Sequence, residues 1–244
     1  SSDFTLGLNQ SAGSDAEIYE IFGEDERLAT TILNKDGTKN GEEALLEVYR
    51  KLRPGEPPTI ESAVKHLVPL LFDEHRYDLS KVGRYKYNKK LAIGNRIIGH
   101  VLAENVVNEL TGEVIATKGQ KLNRETAMEI EHAGVDAVYL FVEEGEKVAK
   151  VISNGMVDIK HFVDIDTEEC YVYEKVRFKI LKEILDQAST KEEITEMVKA
   201  RINELIPKHI IKDDIFASVN YINNLAYDIG TVDDIDHLGN RRIR

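Results

Sequence analysis

Asp233, Asp234 and Asp236 are followed by Arg241, Arg242 and Arg244 within one short stretch, DDIDHLGNRRIR. Carboxylates offer acceptors, and guanidinium groups offer planar forks of donors. That mixture suits a Mg²⁺–phosphate site or the recognition of base edges and phosphates on a nucleic acid. It also suits a self-neutralising surface turn, because exposed ion pairs contribute little. The sequence stops on this cluster, where a folded domain rarely places its densest charge. The expectation is a piece of a larger protein.

A second constellation runs from Arg76 to Lys90, where Tyr77, Tyr85 and Tyr87 alternate with Arg76, Lys81, Arg84, Lys86, Lys89 and Lys90. Cations meet phosphates, and tyrosine rings stack on unpaired bases, so the strip is a nucleic-acid candidate. A solvated hairpin is the plainer alternative. Arg53 stands in RPGEPP, where Pro54, Gly55, Pro57 and Pro58 stiffen the loop and lower the entropy lost on contact. Arg53 could instead simply pair with Glu56. Asp164 with Asp166, and Asp233 with Asp234 and Asp236, raise the possibility of metal-dependent phosphoryl transfer. No third carboxylate motif, general base, phosphate-binding loop or Gly-x-Gly-x-x-Gly accompanies them, so a self-sufficient catalytic site is not expected.

Composition narrows the class. The chain has 244 residues, 42% hydrophobic and 31% charged, which describes a globular protein able to bury a full core. No apolar run approaches the length of a membrane span, and no signal-peptide pattern opens the chain. Cys170 is the single cysteine, which excludes an internal disulfide and fits a reducing cytoplasm. The seven histidines lack ligand spacing. A net charge of −12 argues against non-specific coating of nucleic acid. Yet Arg76–Arg96 holds seven basic residues against one acid, Asp78. A local basic strip on an acidic body fits a protein that touches DNA along one edge.

The elements that must position these residues are mostly helical. Asp15–Phe22 reads as a helix. Asn40–Leu52 is a stronger one, with a capping box from Asn40 and Glu43 and an apolar face of Leu45, Val48, Tyr49 and Leu52. Thr59 caps a helix through Leu71, with Ile60, Val64, Leu67 and Leu71 as its stripe and Pro69 expected to kink it or tighten its last turn. Short β-branched runs follow at Ile97–Leu102, Asn105–Asn108, Glu113–Thr117, Val135–Val142 and Lys147–Ile152, with a helix between Asn123 and Gly134. Helices return at Glu174–Gln187, at Thr190–Leu205 and at Asp213–Ile229. The last carries Ile215, Val219, Ile222 and Ala226 on one side and stops at Gly230.

The fold class expected is α+β: a mainly helical lobe domain with an inserted β-rich module. Residues 1–14 are expected to be a flexible N terminus. Residues 15–91 and 208–232 form a discontinuous helical core, and 92–165 the β-rich module. Residues 166–207 are the helical part of the insertion, and 233–244 a DNA-facing segment.

Three motifs, LRPGEPPT at Leu52–Thr59, RYDLSKVGRYKYNKKL at Arg76–Leu91 and DDIDHLGNRR at Asp233–Arg242, closely resemble the β subunit of bacterial DNA-directed RNA polymerase. The matching region is the second lobe, running into the start of the fork segment, with a lineage-variable insertion inside it. The resemblance implies a lobe that lines the DNA channel and supports DNA-templated RNA synthesis in the assembled enzyme. It implies that Arg53 and Arg76, with Arg84 in the same basic strip, face the non-template strand and downstream DNA. It also implies that Ile235, Asp236 and Arg241 belong to a pocket for an unpaired guanine of that strand. The chemistry fits, since a carboxylate can accept from both N1–H and N2–H₂ of guanine. The resemblance further implies no catalytic residue and no cofactor in this chain, the essential Mg²⁺ being held by the β′ subunit. Implied partners are DNA, the α, β′ and ω subunits and sigma factor. The setting is the cytoplasm, at the nucleoid, with no membrane contact. The rival is a protein-docking module without DNA contact.

Overall fold

The computed structural model describes residues 14–35, 37–73, 77–231 and 241–243. About 52% of it is helical, with several small sheets, so the class is α+β. The chain divides into two compact units, 1–79 with 209–216 and 241–244, and 80–208 with 217–240.

In the first unit, α1 (Asp15–Phe22) is opened by a complete capping box between Ser14 and Glu17. A helix missed by the sequence patterns, α2 (Glu26–Asn34), starts at Asp25, whose carboxylate accepts from the backbone of Arg27 and Leu28. In α3 (Gly41–Leu52), Asn40 accepts from the Glu43 backbone, but the Glu43 carboxylate accepts from Lys39 rather than from Asn40. The box is therefore half built. Helix α4 (Ile60–Phe72) runs through Pro69 and is capped by Thr59. Leu45, Val48 and Tyr49 of α3 pack with Ala63 and Leu67 of α4 as this unit's core. Leu52 and Ile60, expected on that face, are 54% and 43% exposed. Phe22 meets Phe216 edge to face at 6.1 Å. Strand β1 (Tyr77–Leu79) finds its partner far along the chain, in β9 (Arg241–Ile243).

The second unit begins with α5 (Lys81–Leu91), capped by Ser80, and the short α6 (Gly94–Ile97). The segment expected as a strip or hairpin is thus a helix with one face inside. Strands β2 (Val101–Leu102), β5 (Ala137–Val142) and β6 (Lys147–Ile152) form an antiparallel sheet in the order β2-β5-β6. Hairpin β3 (Val106–Val107) with β4 (Val114–Ala116) stands beside it, and α7 (Arg124–His132) starts on the Asn123 cap. Leu102, Leu122, Ile130, Leu140 and Val151 make the centre of this core, which also takes in Ile93 and Ile229. A second core gathers β7 (Met156–Val157), β8 (Val176–Arg177), α8 (Phe178–Gln187), α9 (Lys191–Ala200) and α10 (Ile202–Leu205) around Leu181, Ile184, Val198 and Leu205. Two boundaries differ from expectation. The helix expected from Glu174 begins at Phe178, because Val176–Arg177 pairs with β7. The helix expected over Thr190–Leu205 breaks at Arg201.

The last long helix, α11 (Lys212–Asn224), requires one correction. Ile222 is 67% exposed, and the buried positions are Asp214, Ala217, Asn220, Tyr221 and Asn224. The face that goes inside is therefore not the most apolar one. Segments 80–91 and 217–231 fall in the same compact unit as β2 to β6. Buried hydrogen bonds supply the reason. Arg84 Nε donates to the Pro207 carbonyl at 3.2 Å, and Asn154 Nδ2 to Asn88 Oδ1 at 3.1 Å. Arg96 and Asn220 bind the edge of β6. Unmet polar groups in an interior are costly, so these bonds fix which elements travel together.

Candidate nucleic-acid interface

Arg53 follows the last turn of α3, and its backbone N–H still donates to the Tyr49 carbonyl at 2.8 Å. The chain then reverses, with Glu56 N donating to the Arg53 carbonyl at 3.3 Å. Pro54 and Gly55 occupy the middle of that turn, and Gly55 has φ of +97°. Proline followed by a positive-φ glycine is the sequence of a type II turn. Arg53 Nη1 donates to Glu56 Oε1 at 3.0 Å, and the buried Tyr49 hydroxyl donates to Glu56 Oε2 at 2.5 Å. The Tyr49 bond first, and Arg53 second, hold the Glu56 carboxyl below its ordinary range, while the same bond pushes the Tyr49 hydroxyl up. The alternative weighed from the sequence, a pair with Glu56, is thus formed. The Arg53 side chain nevertheless stays 48% exposed, and its other two nitrogens have no partner among the described residues.

Strands β1 and β9 pair antiparallel, with Leu79 opposite Arg241, Asp78 opposite Arg242 and Tyr77 opposite Ile243. The backbone of the RRI stretch at Arg241–Ile243 therefore lies against the YDL stretch of the tyrosine–lysine motif. Arg76, Asp233, Asp234, Ile235 and Asp236 lie outside the described residues, and Arg241 is described as a strand position.

Arg84 does not belong to any exposed strip. It is 2% exposed, within α5. A cationic residue three positions into this helix looks solvated in sequence, but helical periodicity turns this one inward with Tyr87 and Asn88. What α5 leaves outside is Lys81, Val82, Tyr85 and Lys89, with Tyr85 62% exposed. Lys81 Nζ sits 5.9 Å over the Tyr173 ring. Tyr85, Lys89 and Tyr173 line a cleft of about 570 Å³, with Glu168 and Glu174 also on its wall. Its mixed rim carries no net preference for phosphate.

Of the carboxylates considered for metal chemistry, Asp164 and Asp166 lie among the described residues and are otherwise engaged. Asp164 pairs with Lys191 at 2.6 Å, which holds its carboxyl below the usual range. Asp166 accepts from the backbone of Glu168 and Glu169. Among the described residues no three His, Cys, Asp or Glu side chains gather as a metal cage.

Sequence patterns missed two sets of residues. One is the Tyr49–Glu56 support under Arg53. Its signal was the seven-residue spacing across a Pro-Gly turn. The other is the buried lock in the second unit. There Arg96 Nη1 donates to the Ile152 carbonyl at 2.6 Å and Nη2 to Asn220 Oδ1 at 3.0 Å. Asn220 Oδ1 also accepts from Ile152 N, and Asn220 and Asn224 both donate to the Lys150 carbonyl. Burial pulls the Arg96 pKa down to about 10, with Tyr221 opposing. No spacing rule could connect partners so far apart.

An α+β chain with an arginine-bearing turn and a strand pair joining two charged motifs is matched by a known family. The sequence profile of RNA polymerase Rpb2, domain 2, covers residues 12–98 and 160–244, and the chain belongs to that family. Residues 99–159, left between the two matched segments, carry β2 to β7. The DNA-directed RNA polymerase subunit beta of Clostridium novyi is 55% identical over 239 residues, 98% of this chain and 19% of that protein. Its namesakes in Clostridioides difficile and Alkaliphilus metalliredigens are 55% and 53% identical, each over 95% of this chain. The chain spans about a fifth of the length of these relatives.

Proposed function

We propose that this chain is the lobe segment of a DNA-directed RNA polymerase β subunit, lining the DNA channel and touching the non-template strand. The β-rich module, placed at 92–165 from the sequence, is an insertion within that lobe. The unmatched stretch 99–159 supports this. The lobe serves DNA-templated nucleotidyl transfer together with the α, β′ and ω subunits and sigma factor, in the cytoplasm at the nucleoid. Mg²⁺ belongs to the β′ subunit. No helix among the described residues is long and apolar enough to cross a membrane.

The observation that carries the proposal is the β1–β9 pairing, which aligns the backbones of two motifs whose side chains are chemically fit for DNA. Arg53 and Arg76 would meet backbone phosphates, which position a duplex without reading it. Asp236 would accept from a flipped guanine, with Ile235 as an apolar wall and Arg241 fixing the carboxylate or a phosphate. The experiment is charge reversal at Arg53 and Arg76 in the whole polymerase. Promoter opening should weaken on every sequence, and more so as salt rises. Wild-type opening at all salt concentrations would make these arginines structural and leave protein docking as the function.

A further inference from the structure

We propose that Glu56, anchored by Tyr49, is a positioning residue that holds the Arg53 guanidinium in its phosphate-binding orientation. This rests on the proposed contact between Arg53 and the non-template strand. An arginine on a solvent-facing turn samples many rotamers, and each immobilised rotamer-rich side chain lowers affinity. Here that cost is met before any ligand arrives. Glu56 Oε1 takes one nitrogen of the fork, Nη1, at 3.0 Å. Nε and Nη2 remain available, the edge suited to a bidentate bond with a phosphate.

A carboxylate on a turn would itself wander, and Tyr49 prevents this. Tyr49 is 5% exposed in the core of the first unit, and its hydroxyl holds Glu56 Oε2 at 2.5 Å. Its ring is further fixed by an edge-to-face contact with His66 at 6.0 Å. The two oxygens of Glu56 thus join a rigid core residue to an exposed cation. The type II turn sets the distance, since Gly55 at φ +97° brings Glu56 back over Arg53. Any residue with a Cβ would be strained at Gly55.

The experiment is a double-mutant cycle in the whole polymerase. Open-complex lifetime is measured against salt for Arg53→Ala, Glu56→Gln, Tyr49→Phe and each pairing with Arg53→Ala. Glu56→Gln keeps the shape and removes the charge. Tyr49→Phe removes only the hydroxyl. Each single variant should shorten the lifetime by about three- to tenfold, the scale of coupling between contacting residues. Neither should shorten it further once Arg53 is alanine. Melting temperatures of the isolated chain should stay within error of wild type. If Arg53→Ala itself has no effect, the DNA contact fails. If Arg53→Ala acts but Glu56→Gln and Tyr49→Phe behave as wild type, the positioning role alone fails. A loss that persists in the Arg53→Ala background would assign Glu56 to folding. A longer lifetime in Glu56→Gln would make it a brake on phosphate binding. Either result overturns the proposal.

Discussion

Arg96 and Asn220, 124 positions apart in sequence, meet inside the second unit with Nη2 donating to Oδ1 at 3.0 Å. Around them a buried cation is held by carbonyls and amides alone, with the Tyr221 ring 5.1 Å from its guanidinium carbon. Its Nε has no acceptor among the described residues. Asn220→Ala should destabilise the chain by about 2–4 kcal/mol, because it leaves the Ile152 N–H without its acceptor and takes one hydrogen bond each from the Lys150 carbonyl and the buried Arg96 guanidinium. Urea unfolding of the purified chain measures this. A change under about 0.5 kcal/mol, typical of surface substitutions, would show that the lock is not under tension.

Arg84 and Arg53 should separate cleanly. Arg84→Ala breaks a buried contact of a charged group and should cost stability of about 3–5 kcal/mol. It should leave the salt dependence of DNA binding in the folded enzyme unaltered. Arg53→Ala should do the reverse. Paired urea melts and salt titrations decide it, and a changed salt slope in Arg84→Ala would return that residue to the interface.

Some of this division was visible beforehand. The caps at Asn40, Thr59, Asn123 and Thr190 are local, and short-range rules found them. Strands β5 and β6 announce themselves by β-branched alternation. The buried face of α11 does not. Period-3.6 hydrophobicity points to Ile222, yet Asn220 and Asn224 go inside because β6 offers them backbone partners. The inward turn of Arg84 was hidden for the same reason, since its acceptor, Pro207, lies on a distant segment. At the candidate interface, Arg53 was legible from its Pro-Gly turn, whereas the Tyr49 anchor became visible only once α3 was built.

Acid should loosen the junction where His132 stacks on His161 at 3.9 Å between ring centres. Burial first, then His161 and Lys175, lower the pKa of His132, against the pull of Glu131 and Asp158. The unfolded chain therefore takes up this proton first as pH falls. Stability is full above the unfolded value of 6.5 and is lost as pH drops from there toward the lowered native value. Melting temperatures between pH 7.5 and 5.5 should fall less steeply in His132→Phe, which keeps the stacking. Parallel curves would exclude a protonation penalty at this pair.

Asp236→Ala in the assembled polymerase should abolish discrimination at one non-template position, by about 1–3 kcal/mol, the scale of one bidentate base contact. Templates lacking guanine there should be nearly unaffected. Open-complex lifetimes on templates differing only at that base test this. A uniform loss on all templates would mean that Asp236 holds the turn and reads nothing. Arg241→Ala is the less specific probe, since its charge should matter on every sequence.

The purified chain should neither polymerise nor hydrolyse nucleoside triphosphates, with or without Mg²⁺, because its sequence holds no phosphate-binding loop. Metal-dependent turnover that disappeared in Asp234→Ala would revive phosphoryl transfer.

The edge of β6 has a consequence for how such a chain could gain or shed its β-rich module. An open strand edge invites pairing with stray chains, and here two helix asparagines occupy the backbone of Lys150 and Ile152. Excising 99–159 would remove the Lys150 and Ile152 partners and leave Arg96, Asn220 and Asn224 with only one another, the Leu91 carbonyl and the Tyr221 ring. A shortened chain would need apolar residues at all three positions before its helix could bury that face. Insertion and host are therefore chemically interlocked, and a graft of the module into another scaffold would have to carry both asparagines and the arginine with it.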